Sequence, residues 1–156
     1  MNVGAPIDQS ELGEAELWAW RGLVRVHAAL ARELDAELDA CHGLPLSSYE
    51  VLRALSKMPG GRMRMAELAE HVLLSRSGMT RLIDRLEREG LVARSTCDKD
   101  GRGCYAVLSD LGRGKVEQAR GTHIAVVREG FLRHFSDDEL RTLAQLFERV
   151  LPGANL

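Results

Sequence analysis

Between Ser75 and Arg85 the chain gathers side chains able to grip a polyanion: Arg76, Arg81 and Arg85, with the hydroxyls of Ser75, Ser77 and Thr80. An arginine forks two N–H donors onto the O6 and N7 acceptors of guanine, and a short hydroxyl fits beside a phosphate oxygen. Grouped on one side of a short helix, these residues have the chemistry to read base edges in a DNA major groove. The apolar spacing predicts such a helix. Met79, Leu82, Ile83 and Leu86 recur at i, i+3, i+4 and i+7, which at about 3.6 residues per turn makes one stripe. Ser75 stands where an N-cap belongs, and Asp84 and Arg88 join the polar side. An ordinary amphipathic helix with a solvated charged face accounts for the stretch equally well, so its flanks must decide.

The chain has 156 residues, 45% hydrophobic and 28% charged, the profile of one globular domain. A chain of this size buries roughly 70% of its unfolded surface. No apolar run approaches the roughly 18 residues that span a bilayer, and the N-terminus lacks the basic and apolar regions of a signal peptide. The expected location is the cytoplasm, away from any membrane. Cys41, Cys97 and Cys104 are too few and too scattered for a disulfide framework or a CxxC zinc site. Cys41-His42 lacks a second ligand pair, so no metal is expected. Without a Gly-rich phosphate loop, an HExxH or a GxSxG, the chain does not read as an enzyme and implies no cofactor. The net charge is −2, but residues 62–102 hold nine Arg or Lys against seven Asp or Glu. Phosphate attraction follows that local excess rather than the sum.

Residues 1–12 read as a loose terminus. From Glu14 to Cys41 a helical pattern carries Leu17, Trp20, Leu23, Val24, Leu30, Ala31, Leu34, Leu38 and Cys41 on or near one stripe. At about 1.5 Å per residue it is roughly 40 Å long, too long for one small core to cover. Gly43 and Pro45 end it, and Ser47 with Glu50 have the spacing of a capping box opening a second helix. Arg62 to Met65 alternates like a very short strand, and Ala66 to His71 reads as a brief helix. With the stretch from Ser75 it makes two short helices joined by a tight turn, a helix-turn-helix arrangement. After Gly90 the period changes to two, and Leu91–Cys97 and Cys104–Leu108 read as a hairpin around a polar, glycine-rich tip. Lys99 and Arg102 on that tip are suited to the sugar-phosphate backbone or the minor groove, although Asp98 or Asp100 pairing with Arg102 explains the loop structurally. A glycine-weakened helical pattern with an expected bend runs from Ser109 to about His134. Ser136 and Glu139 then open a last helix with a clean apolar stripe from Leu140 to Leu151.

This order of elements resembles the MarR (multiple antibiotic resistance regulator) family of winged-helix transcription factors over nearly the whole chain. The resemblance rests on MAELAEHVLLSRSGMTRLIDRLEREGLV from Met65 to Val92, DKDGRG from Asp98 to Gly103, and LSDLGR from Leu108 to Arg113. The second run departs from the family's D-x-R-D-R-R pattern by placing glycines at two positions, and Arg102 matches its wing-tip arginine. The resemblance implies a mainly α fold with a small β wing: a winged helix-turn-helix with long N- and C-terminal dimerisation helices. Residues 13–156 would form one domain, with dimerisation helices at 13–45 and 109–156 and a DNA-binding lobe at 46–108. It further implies a homodimeric repressor of double-stranded DNA, released by a small aromatic or phenolic effector. Two-fold symmetry would put the half-sites of a palindromic operator about 10 bp apart.

On this reading the DNA-binding set is Ser75, Arg76, Ser77, Thr80, Arg81, Arg85, Lys99 and Arg102. Trp20, His27 and Tyr49 are the effector-binding candidates, because each joins an apolar body to a polar tip; all three read equally well as core residues. The alternative function is a thiol-based redox-sensing repressor on the same scaffold, using Cys97 and Cys104, which flank the hairpin turn at similar distances. Two reduced strand cysteines are the simpler account of that pair.

Overall fold

A computed structural model describes residues 11–72, 74–96 and 104–153. Helix α1 (Glu14–His42) ends at Gly43, whose left-handed backbone (φ 57°) lets its N–H reach the last carbonyls of the helix. Helix α2 (Leu46–Lys57) begins one residue before the expected capping box, which does not form. Pro45 supplies the entry, Ser47 and Glu50 lie inside the helix, and the Leu46 N–H donates to Asp35 Oδ1 of α1 at 2.8 Å. The cap of α2 therefore comes from another helix. A sequence window cannot contain it.

Strand β1 (Arg62–Arg64), helix α3 (Met65–His71), helix α4 (Arg76–Arg88) and strands β2 (Val92–Thr96) and β3 (Cys104–Leu108) complete the lobe. The antiparallel sheet has the order β1-β3-β2, with Met63 opposite Ala106 and Arg94 opposite Ala106 on its other side. Tyr49, Leu52 and Leu55 of α2, Leu68 of α3 and Met79, Ile83 and Leu86 of α4 are at most 2% exposed and form the centre of the core.

Helix α5 (Asp110–Gly130) is fastened to the wing root. The Ser109 hydroxyl accepts from the Gly112 N–H at 3.0 Å and lies 2.7 and 3.0 Å from the carbonyl oxygens of Gly90 and Leu91. A Cβ at Gly112 would sit 2.1 Å from the Leu91 carbonyl oxygen, so only glycine permits this approach. Farther along, α5 lies on α1, and His42 Nε2 is 2.8 Å from Thr122 Oγ1. The pattern expected to reach His134 breaks instead at Phe131, where a single 3-10 turn, Leu132–His134, follows. Helix α6 (Asp137–Val150) opens with the expected Ser136–Glu139 capping box.

The long stripe on α1 is not a core stripe within one chain. Leu38 is its one buried described member, whereas Trp20, Leu23 and Val24 are 59%, 48% and 45% exposed. No described residue of α6 is buried, and Val150 and Leu151 are 82% and 61% exposed. No described helix is long and apolar enough to cross a membrane.

Candidate nucleic-acid interface

Two jobs divide α4 lengthwise. Met79, Leu82, Ile83 and Leu86 are buried, each contributing roughly 1.5–3 kcal/mol by leaving water. The first turn is fixed by Ser75, whose Oγ accepts from the Gly78 N–H at 3.1 Å and lies 3.3 Å from Ser77 Oγ. Ser75, Arg76, Ser77, Thr80 and Arg81 are all exposed on the side away from the core. The Thr80 hydroxyl donates to the Arg76 carbonyl at 3.0 Å, so its proton stays within the helix. In this geometry it can accept from a base amino group or lay its methyl on thymine, and donating to a phosphate would require it to give up the Arg76 carbonyl.

Arg85, expected as a phosphate contact, is half-buried and engages a residue of the core. Its Nη2 donates to Ser48 Oγ at 2.6 Å, and Ser48 is 1% exposed, so the guanidinium joins α4 to the buried start of α2. Lys99, Arg102 and Cys97 lie outside the described residues. Cys104 is half-buried and stands opposite Thr96 in the ladder.

Arg94 on β2 was not legible as a functional residue. Its backbone N–H and Nη1 donate to Glu87 at 3.0 and 2.7 Å, and its Nη2 contacts Asp84 Oδ1. Two carboxylates of α4 thereby hold the wing strand. The strand alternation places Arg94 on the inner side of the sheet with Ala106, but nothing local in the sequence ties it to a helix seven to ten residues earlier.

The three effector-binding candidates are not brought together. Trp20 is on the exposed face of α1. His27 borders a cleft of about 340 Å³ between α1, α2 and α3, with Glu50, Arg53 and His71. Tyr49 lines another, of about 470 Å³, between α2 and α5. In the second cleft the Tyr49 ring stacks on His123, centroids 4.8 Å apart, beside Arg53, Lys57, Glu117 and Arg120. Arg53 borders both clefts, and its Nε is buried without a hydrogen-bond partner among the described residues. Burial pushes the Tyr49 hydroxyl and the Glu50 carboxyl above their ordinary pKa values, with the Arg53 charge partly offsetting both. Burial, then repulsion from Arg53, holds His123 below the usual imidazole range. Arg53 and His123 escaped the sequence reading. A lone arginine four residues after Tyr49, among Leu52, Ala54 and Leu55, was the available signal for the first.

A profile of the MarR family matches residues 42–103, from the end of α1 to the residue before β3. The chain is 38% identical over 106 residues to the HTH-type transcriptional repressor Rv2887 of Mycobacterium tuberculosis, an alignment covering 68% of this chain and 71% of that one. Its fold is similar to that of AbsC, a MarR family transcriptional regulator from Streptomyces coelicolor, with a TM-score of 0.83 and 33% identity over 90% of this chain and 95% of that one. Sco3205, another MarR family regulator from the same organism, solved in complex with DNA, superposes with a TM-score of 0.87 and 28% identity over 94% and 92% of the two chains. The buried and outward faces of α4, the β wing behind it and these likenesses agree: the chain belongs to the MarR family of winged helix-turn-helix transcriptional regulators and is not an enzyme.

Proposed function

We propose that the protein is a homodimeric repressor that binds a near-palindromic operator through α4 of each subunit and is released by a small aromatic anion. The observation that carries the DNA reading is the exposed row of Arg76, Ser77, Thr80 and Arg81 on a helix whose opposite face is locked in the core. A recognition helix must present side chains to base edges without moving itself, and such anchoring meets that need. The repressor assigned to Mycobacterium tuberculosis and the DNA-bound structure of Sco3205 support the same reading.

Dimerisation is supported by the apolar faces of α1 and α6. Trp18, Trp20, Val150 and Leu151 are more than half exposed, and a second copy would remove them from water. Two-fold symmetry then sets the two α4 helices on adjacent major grooves, with half-sites about 10 bp apart. The cytoplasm is the location that this reading supports, because chromosomal DNA is there.

For the effector, the cleft between α2 and α5 has the fitting chemistry: an aromatic wall in Tyr49 and His123, and Arg53, Lys57 and Arg120 against the single carboxylate of Glu117. Trp20 has no part in it, and His27 serves the cleft on the other side of α2. For the thiol alternative no described contact gives comparable support: Cys104 stands opposite Thr96.

Titration of duplexes selected by the wild-type protein tests the DNA reading. Arg81→Ala is expected to weaken binding by about 1 to 3 kcal/mol, and unchanged affinity removes Arg81 from the contact set. With benzoate as the probe, Arg53→Ala is expected to abolish release of DNA; release by benzoate that survives the substitution refutes the assignment of this cleft.

A further inference from the structure

Strand β1 presents two cations that the recognition helix does not account for. Arg62 and Arg64 are exposed on either side of buried Met63, and Arg64 stands opposite Tyr105 of β3. Both guanidiniums converge on that ring: the Cζ atoms of Arg62 and Arg64 lie 5.4 and 5.6 Å from its centroid, and Arg64 Nε donates to the Tyr105 hydroxyl at 3.1 Å. Two like charges on one ring repel, and each is held there by the ring's quadrupole. Arg64 also lines a cleft of about 360 Å³ bounded by the start of α3, the first turns of α4 and Cys104 of β3. Arg76 stands on the α4 side of the same cleft, and Met65 and Met79 contribute to its apolar lining. Among the described residues that line it there is no carboxylate.

The position of the cleft says what must pass through it. If α4 lies in a major groove and the wing reaches the neighbouring minor groove, the sugar-phosphate strand separating the two grooves crosses between α4 and β3. A phosphate there meets guanidinium donors from two elements. Arg76 comes from the reading helix and Arg64 from the sheet, so a backbone contact at this point also fixes the angle between helix and wing.

We propose that this cleft seats one phosphodiester of the DNA backbone, held by Arg64 and Arg76, with Tyr105 as the positioning residue that orients Arg64. The proposal rests on the operator-binding reading and adds to it a site outside the helix-turn-helix. Arg62 shares the platform but does not line the cleft, which makes it a matched control for charge.

The test is the slope of log K against log salt for the wild-type protein, Arg64→Ala, Arg64→Lys and Arg62→Ala, each on a selected duplex and on an unrelated one. Loss of one phosphate contact per subunit removes two from the homodimer and lowers the slope by about 1.8. Arg64→Ala is expected to show that drop on both duplexes, since a phosphate contact carries no sequence information, and Arg64→Lys is expected to restore it. Arg62→Ala is expected to keep a slope near the wild-type value. Tyr105→Phe, which removes only the hydroxyl, is expected to weaken both duplexes by the same factor while the slope stays, because the cation remains but is less well aimed. A wild-type slope in Arg64→Ala, or equal drops in Arg64→Ala and Arg62→Ala, overturns the seat while leaving operator binding intact. A wild-type protein that binds no duplex in a salt-dependent way overturns both. Thermal unfolding of each variant verifies that the exposed substitutions leave the fold in place.

Discussion

Gly112 and Gly114 lie two residues apart in the first turns of α5, and replacing each by alanine is expected to move stability in opposite directions. Alanine is favoured over glycine inside a helix by about 1 kcal/mol, and at Gly114 nothing lies within 4 Å of the new Cβ. Gly114→Ala should therefore gain up to about 1 kcal/mol. At Gly112 the same methyl would stand 2.1 Å from the Leu91 carbonyl oxygen and 2.8 Å from Leu108 Cδ1, where contacts below 3.0 Å are essentially never seen. The start of α5 must retreat by on the order of 1 Å, an overpacking cost of about 1–3 kcal/mol. That retreat also pulls Ser109 from the carbonyls of Gly90 and Leu91, at a further cost of about 1 kcal/mol if the cap is lost. Set against the helix propensity gained, Gly112→Ala should lose about 1–3 kcal/mol. Urea unfolding at one fixed protein concentration measures both, with a shift of the midpoint at constant slope as the readout. Two stabilising substitutions, or two neutral ones, would refute the claim that α5 is fastened to the wing root by the contact at Gly112.

Arg85→Ala leaves the buried Ser48 hydroxyl without its donor and is expected to cost about 1–3 kcal/mol of stability, with the salt slope of DNA binding unchanged; a smaller slope in titrations of this variant would return Arg85 to the phosphate contacts. Arg94→Ala removes the ties from β2 to Asp84 and Glu87; because these groups are partly exposed, the loss in urea unfolding should stay near 1–2 kcal/mol, while DNA affinity falls more than Arg94, which faces the sheet's inner side, could explain by direct contact. His123 is held below the ordinary imidazole value of 6.5, so the unfolded chain takes up a proton that the folded one resists. Its contribution is fully present above that value and is lost as pH falls from about 6.5 through the folded pKa. The melting-temperature difference between wild type and His123→Gln should shrink or reverse in the wild type's disfavour across that window, and a difference independent of pH would show that His123 titrates normally.

The parts of this molecule set by local pattern were legible in its residues. The i, i+3, i+4, i+7 apolar set of α4, its Ser75 cap, the period-two strands and the Ser136–Glu139 box each depend on neighbours a few positions away, and all appear in the structure. What was missed joins residues far apart in the chain. Asp35 caps α2 across eleven positions, which displaced the expected box at Ser47 and Glu50. Ser48 accepts from Arg85 across thirty-seven, a contact that an arginine sharing the polar side of the helical wheel with Arg81 does not advertise. Tyr49 finds His123 only when α5 folds back onto α2. The long stripe of α1 illustrates the remaining ambiguity: periodicity marks a face as apolar but not whether its cover comes from the same chain, and here Trp20 and Leu23 are left exposed.

The central claim is that the outward face of α4 reads a two-fold DNA site, and selection of bound duplexes from a random library, repeated at low and near-physiological salt, addresses it most directly. Recovery of a near-palindrome with half-sites about 10 bp apart, persisting at the higher salt, is the predicted result. Binding that shows no sequence preference and disappears as salt rises would contradict it, because phosphate attraction alone behaves that way.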